Sequence, residues 1–406
     1  MKKTILLIAG GSNQVSLANE VITQGHDLYL VDPNSEAPCA KYSSIILKHD
    51  TRFYLDIIKE IEEKKLKIDG VISDQSDAAL KTVSIIAEKL GLPYKNLTVI
   101  NNSLNKATQF EILFKNKIKV PKTFKCPLGN EKLFLEAFED KLLFDKKVYV
   151  LKPADSQGSK GVYIINSKKE LEINLTKSFK ESKIGLVILQ EFIEGREYSI
   201  DGLISNGKFF PLVCASKFHY LSNQCIDERN TFINDIEKDV LIKLINETEL
   251  AVRSLNFNET LIHAELILSD VEDKAFIIEI SPRGGGGSIS SKIVPHITNF
   301  NSNKFIINTS LGEPTRELPQ ENIIFKQKKY VIMRFLPEKT GDFSKISIDK
   351  PKYSNLIHLE IPKENFQGSK ILDSRSRLGY WVIANTNIAQ LLEDEKNMLK
   401  SLKFFK

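Results

Sequence analysis

Glu265 and Glu279, each set in an apolar run and trailed by Ser281, Arg283 and four glycines, are the side chains best suited to chemistry. They lie in residues 261–287, LIHAELILSDVEDKAFIIEISPRGGGG, where the polar stretch Ser269–Lys274 separates two strand-like runs. That pattern predicts a β-hairpin with one carboxylate in each strand. Both runs are apolar enough to be buried, and a buried carboxylate is costly without a cation or hydrogen-bond donors. Paired acidic oxygens beside an arginine and bare backbone suit magnesium and phosphate. Taken alone, the segment reads equally well as an amphipathic hairpin with outward glutamates and a glycine linker.

Two further segments have chemical potential. In LKPADSQGSKGV (151–162), Lys152 ends a strand-like run and is followed by the small, polar loop that holds Ser156, Gln157, Gly158 and Ser159. Backbone N–H groups of such a loop can surround phosphate oxygens, and a lysine adds a point charge. No helix-opening GKS or GKT follows, so this is not a Walker loop, and an exposed hairpin turn is an equal reading. In LQEFIEGRE (189–197), acids and a glycine interrupt an apolar strand. A kinked backbone there can hold an adenine, with a later carboxylate on ribose; by itself it also reads as a charged turn.

The elements that must position these residues follow from periodicity. Residues 1–101 alternate strand-like and helix-like runs: Thr4–Ala9, Gln14–Gln24, Asp27–Val31, Ser44–Leu47, Phe53–Lys64, Gly70–Ser73 and Asp77–Leu90. Interleaved strands and helices predict a parallel sheet. Its ligand-facing edge would carry Gly10–Gln14, Asp32 and Ser73–Gln75. Gly10-Gly11 lacks the spaced glycines of a dinucleotide fingerprint. Residues 102–145 read as helix-rich, with a connection near Cys126–Asn130. Strands are then expected at Val148–Lys152, Gly161–Ile165, Gly185–Phe192, Glu197–Ile204 and Lys208–Ser216. A helix follows over about Ile233–Leu255, then the hairpin, then a helix near Asn303–Gly312. The last ninety residues read as a small α+β unit, with strands Tyr330–Phe335, Asn355–Ile361 and Tyr380–Ala384 and a closing helix Ile388–Leu402.

Composition narrows the classes. A hydrophobic content of 42% over 406 residues supports two or three domains with real cores. No run approaches the roughly 20 apolar residues of a membrane span. The opening MKKTILLIAGG reads as a first buried strand rather than a targeting signal. Cys39, Cys126, Cys214 and Cys225 lack metal-ligand spacing and suit a reducing cytoplasm. The net charge of +5 is scattered among acids, which argues against nucleic-acid binding.

In chain order, GGSNQ with APCAKYSSIIL–HD, IDGVISDQSDAAL, AEKLGLP, NKATQFEILFKNKIKVP, LKPADSQGSKGV, QEFIEGREYSIDG and HAEL–IIEISPR resemble the ATP-grasp superfamily. Its members are carboxylate–amine or carboxylate–thiol ligases. The branch most resembled includes L-amino-acid ligases and purine-biosynthetic carboxylases. The resemblance implies an N-terminal parallel-sheet domain (1–101), a two-lobed ATP-grasp core (102–315) and a C-terminal α+β unit (316–406). The core would divide into a small lobe of about 115–190 and a large lobe of about 191–315. It further implies that Lys106 and Lys152 contact ATP phosphates and that Ser156, Gln157, Gly158 and Ser159 form a mobile loop over them. Glu191, Phe192 and Ile193 would bracket adenine and Glu197 would take the ribose. Glu265 and Glu279 would bind Mg2+, with Mn2+ as a substitute. Arg283 would face the γ-phosphate and the activated carboxylate, sharing the catalytic role with Lys152. Most members have asparagine where this chain has Ser281, which puts a third metal contact in doubt.

The implied reaction activates a carboxylate as an acyl phosphate and passes it to an amine, with small-molecule substrates. The absence of a Ser-His-Asp or Cys-His signature agrees with chemistry that needs no protein nucleophile. Lys217, His219, Gly285, Gly286 and His296 are candidates to line the second substrate's site. A structural, hydrogen-bonded role is the stronger reading for each histidine. Amino-acid ligation is the favoured activity, with homodimerisation left open. A purine-pathway carboxylase or formyltransferase is the alternative, although arginines for a ribonucleotide phosphate are sparse. A non-catalytic ATP-binding module is the other, kept open by Ser281.

Overall fold

The protein is described from a computed structural model covering residues 1–93, 96–137, 147–233, 236–314 and 317–406. The end of the helix-rich 102–145 stretch, the start of the Ile233–Leu255 helix and the expected boundary at 315/316 fall partly outside these residues.

The N-terminal strands β1 (Thr4–Ile8), β2 (Asp27–Val31), β3 (Ile45–Leu47) and β4 (Gly70–Ile72) form a sheet of order β3-β2-β1-β4. All of its pairings are parallel, as the intervening helices require. The run TILLI is buried along most of its length because helices Val15–Thr23 and Asp77–Lys89 cover both faces. At the carboxyl edge, Asp32 accepts from the backbone N–H of Gly10 at 2.8 Å and fixes the first turn.

The second sheet is antiparallel: β5 (Thr123–Pro127), β6 (Tyr149–Pro153), β7 (Tyr163–Ile165) and β8 (Leu186–Glu191), in the order β5-β8-β6-β7. Helix Lys168–Lys180 packs Leu171 and Leu175 against its apolar face. Sequence periodicity places only a connection near Cys126. There β5 forms because Thr123–Pro127 completes the edge beside β8.

The third sheet carries the glutamate hairpin. Its strands are β9 (Gly195–Ser205), β10 (Lys208–Tyr220), β11 (Asn223–Phe232), β12 (Thr260–Ser269), β13 (Ala275–Ser281) and β14 (Tyr330–Phe335). The short β15 (Gly341–Phe343) and β16 (Lys345–Ser347) lie outside it, as do β18 (Phe366–Gly368) and β20 (Lys403–Phe405). β17 (Asn355–Glu360) and β19 (Tyr380–Asn385) complete it. The order is β13-β12-β9-β10-β11-β14-β19-β17, so the C-terminal strands extend the sheet that holds the hairpin.

Alternation decides what each face carries. Ile262, Ala264 and Leu266 of β12 pack under helix Lys238–Ser254, with Leu244, Ala251 and Val252. The intervening Leu261, His263, Glu265 and Ile267 take the opposite face. Leu261 there joins the cluster of Ile297, Phe305, Met333 and Tyr380. Strand β11 was not legible in the sequence, and β10 runs four residues past the expected Ser216. NQCIDERNTF is too polar to announce a strand, yet β10 and β14 pair with it on either side. Among the described residues, no helix is long and apolar enough to cross a membrane.

Candidate active site

The hairpin is as expected, with its turn at residues 270–274. Glu265 and Glu279 are direct cross-strand partners, and a register shift follows at Leu266. Directly opposed like charges are destabilising, so this pairing needs cations. Lys106 opens a helix capped by Asn105, whose side chain accepts from Ala107 and Thr108. Its Nζ lies 3.6 Å from Glu279 and donates to the Ser156 carbonyl at 2.9 Å. Lys217 of β10 donates to Glu265 Oε1 at 2.7 Å, also contacts Glu197, and lies 3.3 Å from Asp227. Lys152, near the end of β6, reaches the Ile278 carbonyl at 3.4 Å, where the register of β13 shifts, and lies over the Phe110 ring.

Burial sharpens these charges. The Lys217 side chain is only 5% exposed. Burial opposes its charge, but Asp227, Glu197 and Glu265 hold its ammonium well above the ordinary lysine range. Burial likewise opposes ionisation of Glu265, and Lys217 with His263 overcomes it, holding the carboxyl well below its usual value. Lys152 has no such surplus of acids. Burial, with help from the Lys106 charge, lowers it to about 8. His263 is held between Asp201 at 3.0 Å and Glu265 at 3.6 Å. Burial disfavours its charged form, but the two acids raise it to about 10, so the ring is an imidazolium at neutral pH.

Arg283 is clamped by Asp77, which accepts from Nη2 at 3.0 Å and from Nε as well. Burial opposes the charge of Arg283, and Asp77 outweighs it. Asp77 also takes the Ser281 hydroxyl. Past Arg283 the glycine run turns inward. Asp74 accepts from the Gly284 N–H at 2.8 Å and from the Ser290 hydroxyl at 2.6 Å, and Asp201 accepts from the Gly285 N–H at 3.0 Å. A Cβ on Gly285 would sit 2.5 Å from that Asp201 oxygen, whereas one on Gly286 would meet nothing within 4 Å.

Many of these groups line one cleft of about 680 Å³, a size usual for small-molecule sites. It gathers Lys106, Lys152, Ser156, Gln157, Gly158, Ser159, Glu191, Phe192, Ile193, Glu197, Lys217, Glu265, Glu279, Arg283 and Gly286. Glu191 pairs with Lys147 at 2.7 Å, and the break between β8 and β9 runs through Phe192 and Ile193. The chain re-enters β9 at Gly195, where φ is +156° and a Cβ would strike the Leu268 carbonyl. Besides the Lys106 bond to Ser156, the 156–159 loop is tied down at two further points. The Ser159 hydroxyl donates to the Cys225 carbonyl at 2.7 Å, and the Ser374 N–H donates to the Gly158 carbonyl at 3.0 Å.

Four of the sequence candidates stand apart from the cleft wall. Ser281 is buried against Asp77. Gly285 lies behind the wall on Asp201. His219 reaches Glu197 at 3.0 Å from the rear. His296, in the short helix Val294–Thr298, has its carbonyl bound by Lys329, and burial with that lysine lowers its imidazole. Asp201, Asp227 and His263 escaped the sequence reading. His263 was findable, since two residues before Glu265 on a strand is the same face. Asp227 was not, because its strand was not legible.

Comparison with known proteins agrees with this arrangement. The profile of the ATP-grasp domain matches residues 104–287. The D-alanine–D-alanine ligase of Petrotoga mobilis is 30% identical over 239 residues, covering 56% of this chain and 72% of that protein. A carbamoyl phosphate synthase large chain of Clostridium botulinum is 21% identical over 397 residues, covering 86% of this chain, which spans only 35% of that relative. The crystal structure of an L-amino acid ligase from Bacillus licheniformis superposes with a TM-score of 0.80 at 18% identity, covering 100% of this chain and 99% of that one, and so shares the fold. The chain therefore belongs to the ATP-grasp family, as an ATP-dependent ligase that joins a carboxylate to an amine.

Proposed function

We propose that this enzyme ligates amino acids, phosphorylating the carboxylate of one substrate and transferring the acyl group to the amine of an amino acid. The observation that carries the reading is the cross-strand pair Glu265–Glu279, set in one cleft with Lys106, Lys152 and Arg283. In this reading Lys106 and Lys152 hold ATP phosphates, and the Ser156–Ser159 loop covers them. Glu191 to Ile193 bracket the adenine and Glu197 holds the ribose. Glu265 and Glu279 offer the hard oxygen ligands that Mg2+ prefers. Ser281, turned to Asp77, is left out of that set. When bound, the metal neutralises phosphate charge that would repel an incoming carboxylate.

A carboxylate oxygen attacks the γ-phosphorus and ADP leaves. The amine then attacks the acyl carbon, the C–O bond to phosphate breaks, and the amine's surplus proton is released. Arg283, held rigid by Asp77, is placed to stabilise charge on the transferring group. The covering loop keeps water from the acyl phosphate. Apolar clusters around Leu6 and Leu189 support units at 1–101 and within 102–315, whereas the 316–406 unit shares a sheet and a cluster with the core, from Leu261 and Phe305 to Met333 and Tyr380. Four free cysteines, three of them buried, suit a cytoplasmic setting.

The test is ADP release with magnesium across a panel of amino acids, singly and in pairs. Amino-acid-dependent turnover is expected. Tight ATP binding with no turnover for any amino acid would overturn the reading.

A further inference from the structure

The loop 373–379, between β18 and β19, carries two arginines in contrasting states. Arg375 is paired with Asp373 at 2.6 Å. Arg377 lines the cleft beyond the glycine run, and no carboxylate among the described residues pairs with it. Its Nε and Nη1 reach only the backbone carbonyls of Ser374 and Asp227, at 3.3 and 3.4 Å. The guanidinium lies 3.7 Å from the centroid of the Phe335 ring, which fixes its plane. Phe335 packs on Tyr380, and the Tyr380 hydroxyl meets that of Ser288 at 3.0 Å. A line of contacts therefore runs from Arg377 to the end of the glycine run that Arg283 begins. Burial lowers the affinity of Arg377 for its proton, the direction expected of a cation short of counter-charge.

A half-desolvated guanidinium without an acid, held flat at the wall of a cleft, is a receptor for a planar anion that binds bidentately. We propose that Arg377 binds the non-reacting carboxylate of the amine substrate and so selects an amino acid over a simple amine. This rests on the amino-acid ligase reading and adds a specificity residue to it. The surroundings favour a carboxylate over a phosphate. Glu360 lines the same cleft, and the charges of Asp227 and Asp373 are felt at Arg377, so a dianion would meet repulsion with a single free guanidinium to offset it.

The experiment compares wild type, Arg377→Met and Arg377→Lys with a competent amino acid, its carboxamide, its decarboxylated amine and a phosphate-bearing amine as acceptors. Wild type is expected to prefer the amino acid. In Arg377→Met the acceptor KM should rise about 10- to 100-fold, the scale of lost charge-assisted hydrogen bonds, while the ATP KM stays within about twofold. The preference over carboxamide and amine should vanish. Arg377→Lys keeps the charge but not the fork, and should raise the acceptor KM while retaining the preference. If Arg377→Met does not fold, an Arg377→Lys enzyme with unchanged acceptor KM overturns the proposal. So does a folded Arg377→Met enzyme that keeps the wild-type preference, or a wild type that prefers phosphate-bearing amines. Wild type inert with all amino acids removes the amino-acid ligase reading, and this assignment with it.

Discussion

Replacing Lys217 by methionine tests the electrostatic reasoning most directly. The substitution keeps the length of the stem and removes the ammonium that touches Glu197, Asp227 and Glu265. At an effective dielectric of about 20, the attractions at 2.7 and 3.3 Å amount to about 6 and about 5 kcal/mol before desolvation. Burying the ammonium cancels much of that gain. Breaking such a buried group from one side costs about 3–5 kcal/mol, because the acids stay behind uncompensated. Taking the 406 residues as one cooperative unit, with about 2.1 cal/mol/K of unfolding entropy per residue, the loss lowers the unfolding midpoint by about 4–6 °C. The assay is thermal unfolding of both proteins at pH 8 and pH 5. Wild-type Glu265 is held below its usual value, so its pairing contributes fully above the ordinary carboxyl range and fades only in acid. In the variant the crowded acids take up protons more readily, so the deficit should shrink toward pH 5. A midpoint within about 1 °C of wild type at pH 8, or a deficit that does not shrink, would refute the account.

Glu279→Gln should cut turnover about 10²- to 10³-fold while shifting the midpoint by under about 2 °C, since relief of the facing Glu265 offsets the lost Lys106 pair; ADP release and thermal melts check both. Lys152 is cationic below about 8, so ATP binding to the free enzyme should weaken between pH 7 and pH 9. A flat ATP affinity across that range, measured by titration, would count against its phosphate role, and Lys152→Met should show no such slope. Gly285→Ala should lower the midpoint, because its Cβ collides with Asp201 and lies 2.9 Å from His263, whereas Gly286→Ala projects into open space. Equal midpoints for the two variants would contradict the geometry.

The hairpin, the parallel N-terminal sheet and the lysine loop were legible because each is announced locally, by alternation, by interleaved helices or by a run of small residues. Glu265 and Glu279 could be paired from the sequence because a short turn joins their strands. What stayed hidden depends on partners distant in the chain. Asp227 sits on a strand most of whose residues are polar, and only pairing with β10 and β14 makes it a strand. Asp77 and Asp74 lie on the N-terminal unit, and nothing local foretells that they clamp Arg283 and Gly284. Ser281 looked like a shortened metal ligand because sequence gives a residue's place but not its direction; Asp77 turns it away. His263 drew no reading from the sequence, and it is the cross-strand Asp201, with Glu265 beside it, that raises its imidazole.

The hydrogen bond from Ser374 to Gly158 has a consequence for how the chain is made. A nascent chain that has emerged from the ribosome only as far as the glycine run already carries Lys106, Lys152, Glu265, Glu279 and Arg283. It can already make the Lys106–Ser156 and Ser159–Cys225 contacts, but it lacks the bond that the Ser374 N–H gives the Gly158 carbonyl. The anchor arrives with residues 373–377, and β14 and β19 must add to the sheet to present it. Completion of the cleft is thus tied to late translation, and a chain cut short before residues 373–377 keeps its charges under a loop held at one point fewer.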